Sequence, residues 1–214
     1  MLYIFDNISD FTDELYNNYI SFLPPERLAR AERYMHMADK KECVIAYLLF
    51  RIGILSEYGI HEAPAFCYGI YGKPYLTEYP HIHINLSHCR QGIACAISSC
   101  EVGVDIQDWI LSDQRLLTRV CSNKEIDMVN KSQEKHKLFT TFWALKEAYI
   151  KNLGVGLSFS IKNCDFSFVE MDMFGKFGKM FSLQYTESYC LAVCNNDKFI
   201  QTKYISTHEF EQLL

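Results

Sequence analysis

The sequence predicts an α+β fold on three observations. Apolar residues recur at helical spacing through much of the N-terminal third. From Ile82 the spacing changes to every second residue, and after Trp109 the same order of helices and then strands returns. The 214 residues are 49% hydrophobic and 22% charged, which supports a full core and excludes a disordered, collagenous or low-complexity chain. No Gly/Ser-rich or Pro-rich linker and no short repeat divides the chain. The length therefore suits one domain, or two small lobes of roughly 100 residues each. The repeated order of helices and strands points to two similar lobes.

Taken in order, Ser21 to Pro25 read as a turn into a helix, with proline in its first turn. Asp39 to about Tyr58 continue as a helix that is apolar around most of its circumference, the mark of deep burial. Gly59, Pro64, Gly69 and Gly72 punctuate a loop-rich stretch. HIHINLS reads as one strand; GIACAISS and VGVDIQ read as two more, paired as a hairpin across Cys100 and Glu101. Helices are expected near 112–120, 123–130 and 135–152, the last stopped by Gly154 and Gly156. Strands follow near 164–170, 180–186 and 189–194, then a short strand and a helical turn.

The net charge of −5 argues against a general grip on nucleic acid, which needs an excess of cations on one face. The opening MLYIFDNISDF has no basic lead-in and does not read as a signal peptide. The longest strongly apolar run, CVIAYLLF at 43–50, is far shorter than the about 20 residues a bilayer crossing needs. Nine cysteines at irregular spacing, with no CxxC, read as free thiols in a reducing cytoplasm.

Chemistry concentrates in four short stretches. In KLFTTFWALKEAYIKNLG, residues Leu138, Phe142, Leu145, Tyr149 and Leu153 form one helical stripe at about 100° per residue. Glu147 lies opposite that stripe between Trp143 and Ile150, with Lys151 one turn on. That placement fits a second buried surface; the plainer alternative is an exposed i,i+4 ion pair between Glu147 and Lys151. In VGVDIQD, Asp105 and Gln107 project from one face of a strand as two oxygen donors suited to a hard cation such as Mg²⁺, or as polar groups facing water. In INLSHC, Ser87 and His88 stand at a strand end and could meet a phosphate. In YGKPYL, Lys73 is held between glycine and proline. His81 and His83 share a strand face, but no third ligand accompanies them as a metal site.

GKPYL, INLSH, VGVDIQ and FWALKEAYIK, in this order, resemble the 4′-phosphopantetheinyl transferase superfamily, and the length resembles its longer, pseudodimeric class. The likeness covers roughly residues 20–195. It implies two similar α/β lobes, drawn here as 1–102 and 103–214, with the active site at their interface. It implies Mg²⁺ held by Asp105, Gln107 and Glu147, with coenzyme A as substrate. Lys73 and Pro74 fall at the adenine end, Ser87 and His88 at the 3′-phosphate, and Lys146 and Lys151 on the lysines of the metal helix. Glu125 matches a third acidic position at the metal edge, and either Glu147 or Glu125 would accept the serine proton. Arg27, Arg30 and Lys41 are further phosphate candidates.

Two departures stand out. Gln107 occupies a position that is commonly Glu, which removes one negative charge from the metal set. Glu42 stands where a basic residue often meets the 3′-phosphate. The implied reaction is Mg²⁺-dependent transfer of phosphopantetheine to a serine of an apo acyl- or peptidyl-carrier protein, releasing 3′,5′-ADP. The implied protein is monomeric and cytoplasmic, with no nucleic-acid or membrane partner. The alternative is a non-catalytic module that binds coenzyme A or a carrier protein. Residues 110–138, with Arg115, Arg119, Lys124 and Lys131, are the candidate docking segment.

Overall fold

A computed structural model of the chain describes residues 1–156, 160–169 and 172–213. In chain order the first half holds β1 (Leu2–Phe5), α1 (Asp13–Tyr19), α2 (Pro25–Glu32), α3 (Met37–Tyr58), β2 (Cys67–Tyr68), β3 (Pro74–Tyr75), β4 (His83–Cys89) and β5 (Gly92–Ser98). The second half holds β6 (Val102–Asp108), α4 (Gln114–Val120), α5 (Asn123–Lys131), α6 (Lys135–Leu153), β7 (Met173–Lys176), β8 (Lys179–Tyr185), β9 (Tyr189–Asn195), β10 (Thr202–Tyr204) and α7 (Thr207–Phe210). The α+β class holds. Pro25 stands at the start of α2, and Gly59 and Gly154 end α3 and α6 with φ of 66° and 68°, backbone that favours glycine.

Two sheets form, ordered β10-β1-β5-β4-β3-β2 and β6-β9-β8-β7. Side-chain alternation assigns their faces. Tyr3, Phe5, Ile93, Cys95 and Ile97 of the first sheet meet α3 in one core. Cys190, Ala192 and Cys194 of the second meet Phe142, Leu145 and Ala148 of α6 in another. The opposite faces meet each other: Leu2, Ile4, Ala94 and Ala96 lie against Val102, Val104, Ile106, Leu191 and Val193. The result is four layers, helix–sheet–sheet–helix. Both β5 and β9 are buried along their full length, because each sheet is covered twice.

The structure corrects two expectations. β5 and β6 are not a hairpin: β5 pairs with β4 and β1, and β6 pairs antiparallel with β9. Both strands are apolar on the faces they turn to each other, so they stack face to face instead of edge to edge, and residues 99–101 carry the chain from one sheet to the other. The hairpin is β4–β5, turning at Arg90 and Gln91. The strand expected at 164–170 is absent over 164–169, where Cys164 and Phe166 are buried in loop, and residue 170 lies outside the described residues. β10 pairs in parallel with β1, and Phe210 of α7 enters the first core. The strand β1 itself escaped the sequence reading because four consecutive apolar residues carry no period. All nine cysteine thiols are free, as expected.

Helix α6 lies directly on β6. A Cβ added at Gly103 would stand 2.0 Å from the Ala148 carbonyl oxygen and 2.4 Å from the Asn152 nitrogen, both backbone atoms that cannot step aside. Replacing Gly103 with alanine is expected to cost about 3 kcal/mol or more of stability, beyond the usual range for overpacking by one methyl. Urea denaturation of the two proteins measures it, and a loss under about 0.5 kcal/mol would show that the helix can lift off the strand.

Candidate active site

The close approach at Gly103 brings the polar end of α6 against β6. Gly103, Asp105 and Gln107 alternate with Val102, Val104 and Ile106, so the apolar set enters the inter-sheet seam and the other set faces α6. Asp105 is 4% exposed. The Lys151 ammonium donates to its Oδ1 at 2.7 Å, to the Val104 carbonyl at 3.0 Å and to Ser87 Oγ at 2.9 Å. Ser87 donates to the same Oδ1 at 3.1 Å. Asp105 Oδ2 is buried without a hydrogen-bond partner among the described residues. Lys151 thus pairs with Asp105 rather than with Glu147 on its own helix, which sets aside the simple surface ion pair.

Burial raises the Asp105 carboxyl above the usual range, against the pull of Lys151. Glu147 is half-buried; burial and then the charge of Asp105 push its carboxyl up, with Lys151 opposing. Two carboxylates that feel each other beside an orphaned buried oxygen make a set that fits a hard divalent cation, with Gln107 on the Asp105 face as a neutral oxygen donor. No three His, Cys, Asp or Glu side chains converge as a metal cluster among the described residues, so a cation here would rely on that amide.

Two adjoining pockets of about 140 and 200 Å³ share Gly72, Pro74 and Leu86. The second reaches Glu147 and Lys151. The first is walled by Arg27, Arg30, Glu42 and His88. Arg27 is held by the Cys43 carbonyl at 2.9 Å and lies over the Phe66 ring, and its Nε is buried without a partner among the described residues. His88 sits 3.4 Å from Glu42. Partial desolvation, then the Lys151 and Arg30 cations, hold its imidazole below its ordinary value. Glu42 is pushed up by burial and by Asp39 and Asp108. A third hollow, of about 390 Å³, lies on the far side of Glu147, walled by Leu116, Arg119, Val120, Trp143 and Ile161. Glu147 lines both this hollow and the pocket that holds Lys151.

Other expected residues are engaged elsewhere. Glu125 and Lys146, expected at the metal edge and at coenzyme A, form an ion pair of 2.6 Å with neither side chain exposed. Glu125 also accepts the backbone N–H of Ser122 and of Phe166, and Lys146 donates to the Val120 carbonyl. They tie α5 and the 164–166 loop to α6, and neither reaches a pocket wall. The capping-box spacing Ser122–Glu125 was the sequence signal for this role. Lys41 is turned to Asp13 at 2.7 Å. Ser87 gives its one proton to Asp105, and its oxygen accepts from Ile106 N–H and Lys151, so it presents no free donor to a phosphate. Lys73 does border the cleft, but it is paired with Glu101 and donates to the Asn152 carbonyl at 2.8 Å. Pro74 lines both pockets. Two buried amides went unread in the sequence. Asn85 accepts Val104 N–H at 2.9 Å, and Asn152 donates to the Glu101 and Cys194 carbonyls. Their signal was polarity on strand and helix faces that sequence alone assigns to water.

A family model described as the 4′-phosphopantetheinyl transferase superfamily matches residues 101–194. The chain is 31% identical over 180 residues to a 4′-phosphopantetheinyl transferase of Bacillus subtilis, covering 79% of this chain and 80% of that one. It is 30% identical over 143 residues to the transferase Sfp of Bacillus subtilis strain 168, covering 65% and 64%. It is 31% identical over 176 residues to an L-aminoadipate-semialdehyde dehydrogenase-phosphopantetheinyl transferase of Xenopus laevis, covering 73% and 57%. The match thus spans less than two thirds of the last two relatives. No helix among the described residues is long and apolar enough to cross a membrane.

The buried pair yields a stability test. Lys146→Met leaves the Glu125 carboxylate uncompensated in the core and should cost about 3–5 kcal/mol. Combining Lys146→Met with Glu125→Gln in one chain should recover at least half of that loss. Chemical denaturation of the wild-type protein and the two variants measures both.

Proposed function

Because the chain belongs to the 4′-phosphopantetheinyl transferase superfamily, we infer that it moves the 4′-phosphopantetheine arm of coenzyme A to a serine of an acyl- or peptidyl-carrier protein. We read its two halves, α3 on the first sheet and α6 on the second, as related lobes with the active site between them. The observation that carries this reading is the buried Asp105, with one oxygen on Lys151 and the other without a partner among the described residues, near enough to raise the Glu147 carboxyl, while Glu147 and Lys151 line one pocket.

Coenzyme A has two anionic parts, and the cleft has cations at two places. We assign the diphosphate to the Lys151 end and the 3′-phosphate to the end that holds Arg27, Arg30 and His88. The buried, unpartnered Nε of Arg27 supports the second assignment. Asp105, Gln107 and Glu147 are the residues that would hold Mg²⁺. When bound, such an ion offsets the charge of the diphosphate and of the departing oxygen. Lys151 adds a second cation beside the same phosphates.

The carrier serine approaches from the hollow lined by Leu116, Arg119 and Trp143, the first two of which belong to the 110–138 segment expected to dock the carrier. Its oxygen bonds to the phosphorus that bears pantetheine, the bridging P–O bond breaks, and 3′,5′-ADP leaves. The serine proton goes to Glu147, the carboxylate that borders both hollows. We prefer Glu147 to Glu125 as the base because the Glu125 oxygens are engaged by Lys146 and two backbone amides. Both ends of the cleft come from one chain, so the enzyme works as a monomer. Nine free thiols suit the cytoplasm.

Incubation with coenzyme A, Mg²⁺ and a panel of apo carriers should add about 340 Da to one or more carriers by mass spectrometry, the size of one arm joined covalently. Asp105→Ala and Glu147→Ala should each lower kcat/KM by at least about 100-fold with the fold retained, and chelation of Mg²⁺ should stop transfer. Gln107→Glu should lower the Mg²⁺ concentration for half-maximal rate, because it restores a charge to the donor set. Stabilisation of the protein by coenzyme A with no mass gain on any carrier would instead identify a binding module.

A further inference from the structure

β6 is the outermost strand of its sheet, and among the described residues no strand forms a backbone ladder with the edge it turns away from β9. That edge is buried, so its N–H groups need partners, and leaving one unpaired costs about 1–3 kcal/mol. The partners come from side chains of β4, in the other sheet. Asn85 Oδ1 accepts the Val104 N–H at 2.9 Å, and Ser87 Oγ accepts the Ile106 N–H at 3.2 Å. The two residues are 4% and 6% exposed. They sit two apart on a strand and so share a face, while Ile84 and Leu86, at the alternate positions, turn to the α3 core.

The two amides they hold are those on either side of Asp105. Ser87 goes further, since it also donates to Asp105 Oδ1 and accepts from Lys151. One strand of the first sheet therefore restrains the backbone on both sides of this carboxylate, the carboxylate itself and the ammonium that neutralises it.

We propose that Asn85 and Ser87 are positioning residues for the transfer reaction: a two-rung side-chain ladder across the gap between the sheets that sets Asp105 against Lys151 and Glu147. This rests on the proposed function for its kinetic consequence, but not for its structural one. The ladder belongs to the protein alone, and it governs how steadily Asp105 presents its second oxygen to a cation. It also assigns Ser87 a role within the protein in place of a phosphate contact.

The test pairs Ser87→Ala with Ser87→Thr, which keeps the hydroxyl, and adds Asn85→Ala. Amide hydrogen exchange, followed by NMR without ligand, should accelerate at Ile106 in Ser87→Ala and at Val104 in Asn85→Ala, each by at least about tenfold. Binding of Mn²⁺ as the probe ion, in the presence of ADP and read by electron paramagnetic resonance, should weaken at least about threefold in both alanine variants. In transfer assays kcat should fall about 10- to 100-fold with KM for coenzyme A within about threefold, and Ser87→Thr should recover most of the loss. Unaltered exchange at these two amides and unaltered Mn²⁺ affinity would overturn the proposal. So would a general acceleration across both sheets with no selective effect at Val104 and Ile106, which marks a merely structural role. If the wild-type protein transfers nothing to any carrier, the functional reading fails by itself, and the exchange and Mn²⁺ measurements still decide the ladder.

Discussion

The apolar seam between the two sheets is the contact on which the rest of this structure depends. Leu2, Ile4, Ala94 and Ala96 on one side and Val102, Val104, Ile106, Leu191 and Val193 on the other are removed from water only when the sheets stack. Two of the first sheet's contributions are alanines, so the sheets approach closely, and that approach brings β4 beside the free edge of β6. Hydrophobic burial is not directional. The polar bonds from Asn85, Ser87, Lys73 and Asn152 supply the register that the seam lacks.

The same closeness determines the electrostatics. Asp105 is carried into the interior by a strand whose alternate residues must enter the seam, and burial alone would make its ionised form expensive. Lys151 offsets that cost, from a helix that lies on β6 only because position 103 has no side chain. Glu147, one turn earlier on that helix, is then held near a like charge. The arrangement sets two carboxyl groups within electrostatic reach of each other and leaves one Asp105 oxygen without a partner among the described residues. Glu125 and Lys146 show the contrasting outcome, two buried charges that satisfy each other and the backbone completely and present nothing to solvent.

Much of this was legible in the residues. The long helices were located to within a few residues, since capping residues, glycine stops and a 3.6 period act locally. Asp105, Gln107, Glu147 and Lys151 could be singled out because polar groups in otherwise apolar stretches need a reason. What misled was pairing. Consecutive strands usually neighbour one another, yet β5 and β6 stack, and the periodicity of a strand does not say whether its apolar face meets a helix or another sheet. Glu125 illustrates the same limit, since its place in a capping box was visible while its depth was not.

By itself the sequence determined the α+β class, the location of the helices and most strands, and the few residues able to carry charge chemistry. These follow from local propensity and from the spacing of apolar groups along one stretch of chain. Only the tertiary structure decided which carboxyl groups feel each other, that Lys151 belongs to Asp105, and that Ser87 and Asn85 serve a strand of the other sheet. Those outcomes depend on how two buried surfaces come into register through space. That register is a sum over residues distant in sequence, and no local pattern records it.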